Sequence, residues 1–173
     1  MTTTNQERRG HLYQSVLELT LAGGAAFWLT NFAVSLTPIA ADYRAGVSIS
    51  YFPMLLEALV GGLVIGFGVS YFLLRFYGKI PTKNPILKSV ILSLIALILA
   101  TVLLEIPAHF LTPNSNPMRY FLTGLLFNVL RILALGIVIG YLYERLYKGL
   151  NPSVTVSKSR HVESPHVESP HVE

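Results

Sequence analysis

One basic residue interrupts a long apolar run in the second half of the chain. Residues 124–140 read GLLFNVLRILALGIVIG, and Arg131 is the only charged residue among them. Arginine is a permanent cation, and placing it at the centre of a bilayer costs at least about 2.5–3.5 kcal/mol. Charges at such depth usually pair with an opposite charge or line a wet cavity. Arg131 therefore predicts either an ion pair or a polar site.

Four other polar residues lie on the outer side of the predicted bundle, as Arg131 does. Glu57 lies about one turn inside the second apolar segment, and Glu105 lies at the outer end of the third. Asn128 lies about 60° around the helix from Arg131 and nearly one turn outward. Asn31 has a similar outer depth on the first segment. We predict that all five residues converge in the outer half of a helix bundle.

An ion pair between Glu57 and Arg131 has a structural alternative. The two backbones differ by about 10 Å in height, so both side chains must reach toward each other. Glu57 also gains from the positive end of its own helix, which stabilises a carboxylate without any partner. The sequence leaves both interpretations open. The loop residues Asp42 and Arg44 are expected to form a solvated pair.

A metal or catalytic site finds little support. Glu105 and His109 have the spacing that places two ligands on one helical face, but Pro107 between them ends or kinks the helix. A metal site needs three or four convergent ligands. The chain has no cysteine, and it shows no serine–histidine–acid set or phosphate-binding loop. We predict that the protein is not an enzyme and holds neither a metal nor a cofactor.

The composition is typical of an integral membrane protein. Of the 173 residues, 52% are hydrophobic and only 13% are charged, and the mean hydropathy is +0.54. A soluble domain carries about 25% charged residues. The net charge of +4 forms no basic face of the kind that binds nucleic acid. We expect the lipid bilayer as a partner and exclude nucleic acid.

Four segments have the roughly 20 apolar residues that a membrane-spanning helix needs. Proline and glycine separate them, and Asn84 and Asn116 each precede a proline, which suits a helix cap followed by proline in the first turn. The fold class is therefore an all-α bundle of four transmembrane helices with short loops. The four helices are predicted at about 16–37, 53–77, 86–106 and 118–143.

The lysines and arginines orient the chain in the membrane. If both termini are cytoplasmic, the outer loops keep only Arg44 and Arg119. Cytoplasmic segments carry an excess of these residues, so the asymmetry predicts a multi-pass protein with both termini in the cytoplasm. The ten residues on the cytoplasmic side are Arg8, Arg9, Arg75, Lys79, Lys83, Lys88, Arg145, Lys148, Lys158 and Arg160.

The two ends of the chain differ from the transmembrane domain at 16–150. Residues 1–15 are expected to form a cytoplasmic segment. Residues 151–173 end in the repeat HVESPHVESPHVE, which has regular prolines and no apolar face. Such a composition cannot bury enough surface to fold, so the tail is predicted to be disordered.

Small residues indicate how the helices approach one another. In lipid there is little hydrophobic force between helices, and close packing depends on small side chains. The third segment is bulky, so we expect it outside a tight core of the other three. The ridges serve packing within one chain or, alternatively, a homo-oligomer. The predicted packing residues are Ala58, Gly62, Gly66 and Ser70 on the second segment and Gly136 and Gly140 on the fourth.

Two functions remain open at this point. The first is a non-catalytic subunit or interaction protein that contacts itself or another membrane protein through its helices. The small size, the short loops and the missing catalytic set favour it. The alternative is a small-solute or proton-coupled transporter or channel, with Glu57 and Arg131 lining a polar cavity in the outer half of the bundle. The two differ in whether Arg131 faces its own chain or a partner.

Overall fold

The computed structural model describes residues 3–107 and 117–148. Within these ranges the chain is helical and contains no strand. A 3-10 turn, Tyr77–Lys79, follows the third helix, and a π-helical segment, Thr101–Glu105, continues the fourth. The helices are α1 (Thr3–Ser35), α2 (Pro38–Val47), α3 (Tyr51–Phe76), α4 (Pro85–Ala100) and α5 (Pro117–Lys148).

Four of the helices are long and apolar enough to cross a membrane, which confirms the sequence prediction. The first helix begins at Thr3, well before the predicted start near residue 16. The repeat-containing tail, Asn116 and His109 lie outside the described residues. The stretches with spanning length and hydropathy are Leu12–Ser35, Tyr51–Lys79, Pro85–Leu103 and Pro117–Leu146.

The helix starts follow the chemistry of their caps. The Asn84 side chain accepts a 2.9 Å hydrogen bond from the Ile86 amide, and Pro85 occupies the first turn of α4, as predicted. The short helix α2 begins in the same way, with Thr37 as its cap and Pro38 in its first turn. The sequence pattern predicts only a break at Pro38, so α2 is an additional helix. Proline in the first turn favours a helix, because its missing N–H needs no partner there.

Helices α1 and α3 pack closely through the small ridge of α3. All four ridge residues are buried. A Cβ atom at Gly66 would lie 3.2 Å from the Thr20 carbonyl oxygen, so the two backbones are nearly in contact. At Gly62 the corresponding atom would lie 2.9 Å from the ring of Phe27. The ridge Ala58, Gly62, Gly66 and Ser70 thus packs within this chain.

Helix α4 differs from its expected outer position, because it packs against α5. A Cβ atom at Gly140 would lie 2.5 Å from the Ile86 Cα, and one at Gly136 would lie 2.7 Å from the Ser93 hydroxyl oxygen. Ser89 and Ser93 are both fully buried. These two serines are four residues apart and form a small stripe on one face of α4. The bulky residues elsewhere on α4 obscured this stripe in the sequence.

The helices enclose an apolar core. Its members include residues of α1, α3 and α5, and the most deeply buried are fully excluded from the surface. Many other large apolar side chains of the long helices are exposed. This distribution suits helices whose outer faces meet hydrocarbon rather than water. The fully buried core side chains are Leu19, Leu73, Ile132, Leu135 and Ile139.

Candidate functional site

A cavity of about 300 Å³ lies among the helices at the end of the molecule that carries α2. We call this the α2 end. All five helices contribute to its lining, and polar side chains come from four of them. The polar lining residues are Asn31 and Ser35 of α1, Tyr43 and Arg44 of α2, Glu57 of α3, and Asn128 and Arg131 of α5.

Four of the five residues of the predicted polar cluster line this cavity. They are Asn31, Glu57, Asn128 and Arg131. Glu105 belongs to the π-helical segment that continues α4, and its side chain lies outside the part of the chain that the structure describes. The four lining residues come from α1, α3 and α5. Helices that are distant in sequence therefore bring polar groups to one space.

Arg131 is half-buried and interacts along its own helix. Its Nη1 donates a 3.1 Å hydrogen bond to the Asn128 side-chain oxygen, which lies three residues earlier on the same face. Glu57 is exposed on the wall of the cavity. In the described part of the chain, no hydrogen bond or ion pair joins the Glu57 carboxylate to Arg131. Glu57 and Arg131 therefore line the same cavity without a direct bond between them.

Asn31 is the most deeply buried polar residue of the lining. Only 1% of its surface is exposed, and neither its Nδ2 nor its Oδ1 has a hydrogen-bond partner among the described residues. Leaving a buried polar group unsatisfied costs about 1–3 kcal/mol. An amide that faces a cavity under these conditions offers one donor group and one acceptor to whatever enters.

Arg44 is a site residue that the sequence analysis missed. The sequence predicts a solvated pair of Arg44 with Asp42. Arg44 is instead half-buried and lines the cavity. Asp42 is exposed and lines a separate recess together with Arg119. Its Nη1 donates a 2.9 Å hydrogen bond to the Ser35 carbonyl, and its guanidinium carbon lies 5.1 Å from the centre of the Tyr51 ring. Arg44 reaches the cavity because the helical period of α2 places it on the face that lines the cavity.

Ala40, Tyr43 and Arg44 have the spacing of one helical face, and all three line the cavity. Tyr43 anchors this face to α5. Its ring packs edge-on against Phe127 with the centroids 5.8 Å apart. A Cβ atom at Gly124 would lie 2.9 Å from the Tyr43 hydroxyl oxygen, so glycine permits this close approach. Helix α2 is thereby held across the α2 end of the cavity.

The remaining lining is mainly apolar. Ile65, Leu97 and Ile132 lie on the side of the cavity farthest from α2. Beyond them along α5, Leu135 and Ile139 are fully buried. Along α5 the cavity therefore gives way to packed apolar side chains. No group of three metal-binding side chains occurs among the residues that the structure describes.

Comparison with protein-family models, with curated proteins and with solved structures found no match to this chain. Any function must therefore be argued from the geometry of the cavity and from the charge distribution along the chain.

Proposed function

We propose that the four long helices form a membrane-spanning bundle with both termini in the cytoplasm. The excess of lysine and arginine in the cytoplasmic segments supports this orientation, since only Arg44 and Arg119 fall on the opposite side. The exposed apolar side chains on the long helices support contact with lipid. In this orientation α2 lies at the outer face of the membrane, and the cavity opens toward the outside.

Within that frame, we propose that the cavity binds a small polar solute, as the binding step of a transporter. The observation that carries this proposal is the meeting of polar side chains from four helices in one cavity of about 300 Å³. Ligand sites are concave and mostly apolar, with a few polar groups that fix orientation. Such an arrangement is costly inside a bilayer, where ionisable residues usually mark a substrate or ion path.

The apolar floor of the cavity favours a transporter over an open channel. Leu135 and Ile139 are fully buried below Ile132, so packed side chains lie between the cavity and the cytoplasmic end. A solute that enters from the outside therefore has to wait for the helices to rearrange. Access that alternates between the two sides of the membrane fits this geometry. The described conformation corresponds to the outward-facing state in this proposal.

Two glycines of α3 allow a matched test of water access. The chain has no cysteine, so a single introduced thiol is the only site of labelling. At both Gly61 and Gly68, a Cβ atom would meet nothing within 4 Å. The two positions are seven residues apart and lie on nearly the same side of α3, about 10 Å apart along its axis. Only Gly61 lines the cavity.

We expect a membrane-impermeant methanethiosulfonate to label Gly61→Cys at least about tenfold faster than Gly68→Cys, because the thiolate forms only in water. The measurement is the rate of mass increase in proteoliposomes or right-side-out vesicles. Equal slow rates at both positions would mean that the cavity is dry, and the proposal would fail. Denatured samples of both variants provide the control for intrinsic reactivity.

A second candidate function is a non-catalytic subunit of a membrane assembly. The open space beside Gly68 supports it, because small residues on a helix surface permit close approach of another helix. Val64 and Phe67 on the same helix are also exposed. Native mass spectrometry of the protein extracted in mild detergent tests this function. An additional polypeptide in the complex favours the subunit, and a monomer or homo-oligomer with a retained small molecule favours the solute site.

A further inference from the structure

We infer that the solute is a small, water-soluble carboxylate with an apolar body. This inference rests on the proposed solute-binding function and specifies its chemistry. It follows from the charges, the neutral hydrogen-bonding groups and the apolar wall of the same cavity.

The arginines that line the cavity favour an anion. Among the described lining residues, Arg44 and Arg131 carry a guanidinium and Glu57 carries a carboxylate. A guanidinium presents donors in a planar fork that matches a carboxylate. Arg44 supplies the fork at the α2 end of the cavity, where a solute would enter.

Arg44 contributes an accessible part of this positive charge. It lies on α2, at the end of the cavity where a solute would enter, and its Nη1 donates to the Ser35 carbonyl. A guanidinium has five N–H donors, so this bond fixes the side chain without exhausting it. The contact with the Tyr51 ring also holds the guanidinium in place. A cation fixed in this way loses little conformational entropy when it binds an anion.

Asn31 supplies a neutral contact deeper in the cavity. Its amide has no partner among the described residues and is almost completely buried. The Nδ2 group can donate to a carboxylate oxygen, and the Oδ1 atom can accept from a hydroxyl or amino group on the solute. A bound carboxylate would therefore satisfy a group whose burial is otherwise unfavourable.

The apolar wall accounts for the rest of the solute. The apolar part of the lining includes Phe27, Ile65, Leu97, Phe127 and Ile132. Burying a small hydrocarbon group against such a wall contributes about 25 cal/mol per Å². A cavity of about 300 Å³ suits a compact solute rather than a long acyl chain.

Three molecules of one shape and different charge test the inference on the full-length wild-type protein. They are benzoate, benzamide and benzylammonium. The protein is placed in phosphatidylcholine nanodiscs, and binding is measured by isothermal titration calorimetry and by saturation-transfer NMR. We expect benzoate to bind at least about tenfold more tightly than the other two, which corresponds to a single charge-assisted hydrogen bond.

Variants of Arg44 then test whether its positive charge is responsible for the binding of benzoate. We expect Arg44→Gln to weaken benzoate at least about tenfold while benzamide changes less than about threefold, since only the charged contact is lost. The control is Arg75→Gln, an exposed arginine at the opposite end of α3 that does not line the cavity. If Arg44→Gln does not fold, Arg44→Lys replaces it. Lysine keeps the positive charge but loses the planar pair of donors, so the affinity for benzoate should fall measurably, by less than about tenfold.

The outcomes separate this inference from the function on which it rests. Tight binding of benzamide or benzylammonium, with benzoate equal or weaker, would overturn the inference while leaving a solute-binding cavity. If none of the three molecules binds while Gly61→Cys is labelled rapidly, the inference about the solute is also overturned. The proposal that water enters the cavity then still stands. Slow labelling at that position would refute the proposed function itself.

Discussion

At the scale of single residues, the cavity contains two cations in different local settings. Arg131 lies on a long helix and donates to Asn128 one turn away, whereas Arg44 lies on a short helix and donates to a main-chain carbonyl of α1. The two guanidinium groups are therefore held by different kinds of acceptor, a side-chain amide oxygen and a main-chain carbonyl oxygen.

Replacing Asn31 with leucine should increase stability and reduce solute binding. The substitution removes two unsatisfied buried polar atoms, which we expect to raise the free energy of unfolding by about 1–3 kcal/mol. Thermal unfolding in detergent measures the stability, and benzoate affinity measures the site. Asn128→Leu is the control, since it removes an acceptor that Arg131 uses and should not be stabilising. A less stable Asn31→Leu protein would show that the amide has a structural partner.

Replacing Arg131 with leucine should abolish solute flux and keep the helices folded. Leucine is favoured over arginine at the membrane centre by about 3 kcal/mol, so insertion should not suffer. The measurement compares wild-type and variant proteoliposomes for uptake of labelled benzoate. Under the subunit alternative the same variant should instead release the partner polypeptide. Wild-type behaviour in both assays would mean that Arg131 has neither role.

At the scale of elements, close approach of backbones sets the positions of the helices around the cavity. Gly66 brings α3 against α1, and Gly140 brings α5 against α4. Helix α2 then lies across the α2 end, where Tyr43 packs against Phe127. A small displacement of these helices would move the cavity walls by the same distance. The glycines at the crossings therefore contribute to the geometry of the site without touching it.

Alanine at Gly140 and at Gly68 should affect stability in opposite directions. The added Cβ at Gly140 would lie 2.5 Å from the Ile86 backbone, whereas at Gly68 it would meet nothing within 4 Å. We expect Gly140→Ala to lower the free energy of unfolding by about 1–3 kcal/mol, because the backbone must shift. Gly68→Ala should be neutral or raise it by up to about 1 kcal/mol through helix propensity. Thermal unfolding of both variants under identical conditions measures the difference. Similar stabilities for the two variants would argue against the α4–α5 contact.

At the scale of the whole molecule, the charge distribution underlies the proposed orientation. The end that holds α2 and the cavity has few basic residues in its loops, and the opposite end has many. In the proposed orientation the cavity faces outward and takes up solutes from the external medium. The direction of uptake in the proposed function depends on this orientation.

Two single cysteines should reveal the orientation in intact cells. Ser50 precedes α3 at the α2 end and is exposed, and Gly78 in the 3-10 turn at the opposite end is exposed with open space beside it. We expect an impermeant maleimide to label Ser50→Cys from outside and to label Gly78→Cys only after the membrane is permeabilised. Neither substitution changes the charge of a loop, so the positive-inside pattern is preserved. The reverse labelling pattern would place the cavity on the cytoplasmic side.

The sequence by itself determined the four long apolar helices and the cap at Asn84. Hydrocarbon leaves a backbone no hydrogen-bond partner but itself, so about 20 apolar residues in a row specify a helix whatever surrounds them. Depth along each helix follows from the residue count, which is why four of the five predicted polar residues line one cavity.

Only the tertiary structure decided which faces of the helices meet. The contact of Ser93 with α5, and the position of Arg44 on the cavity wall, depend on how α4 and α2 rotate about their axes. Rotation is set by side-chain contacts between segments that are distant in the chain, and in lipid no hydrophobic force between helices reveals it in the pattern of residues. Local sequence fixes where a helix lies in depth, and packing against its neighbours fixes the direction in which its side chains point.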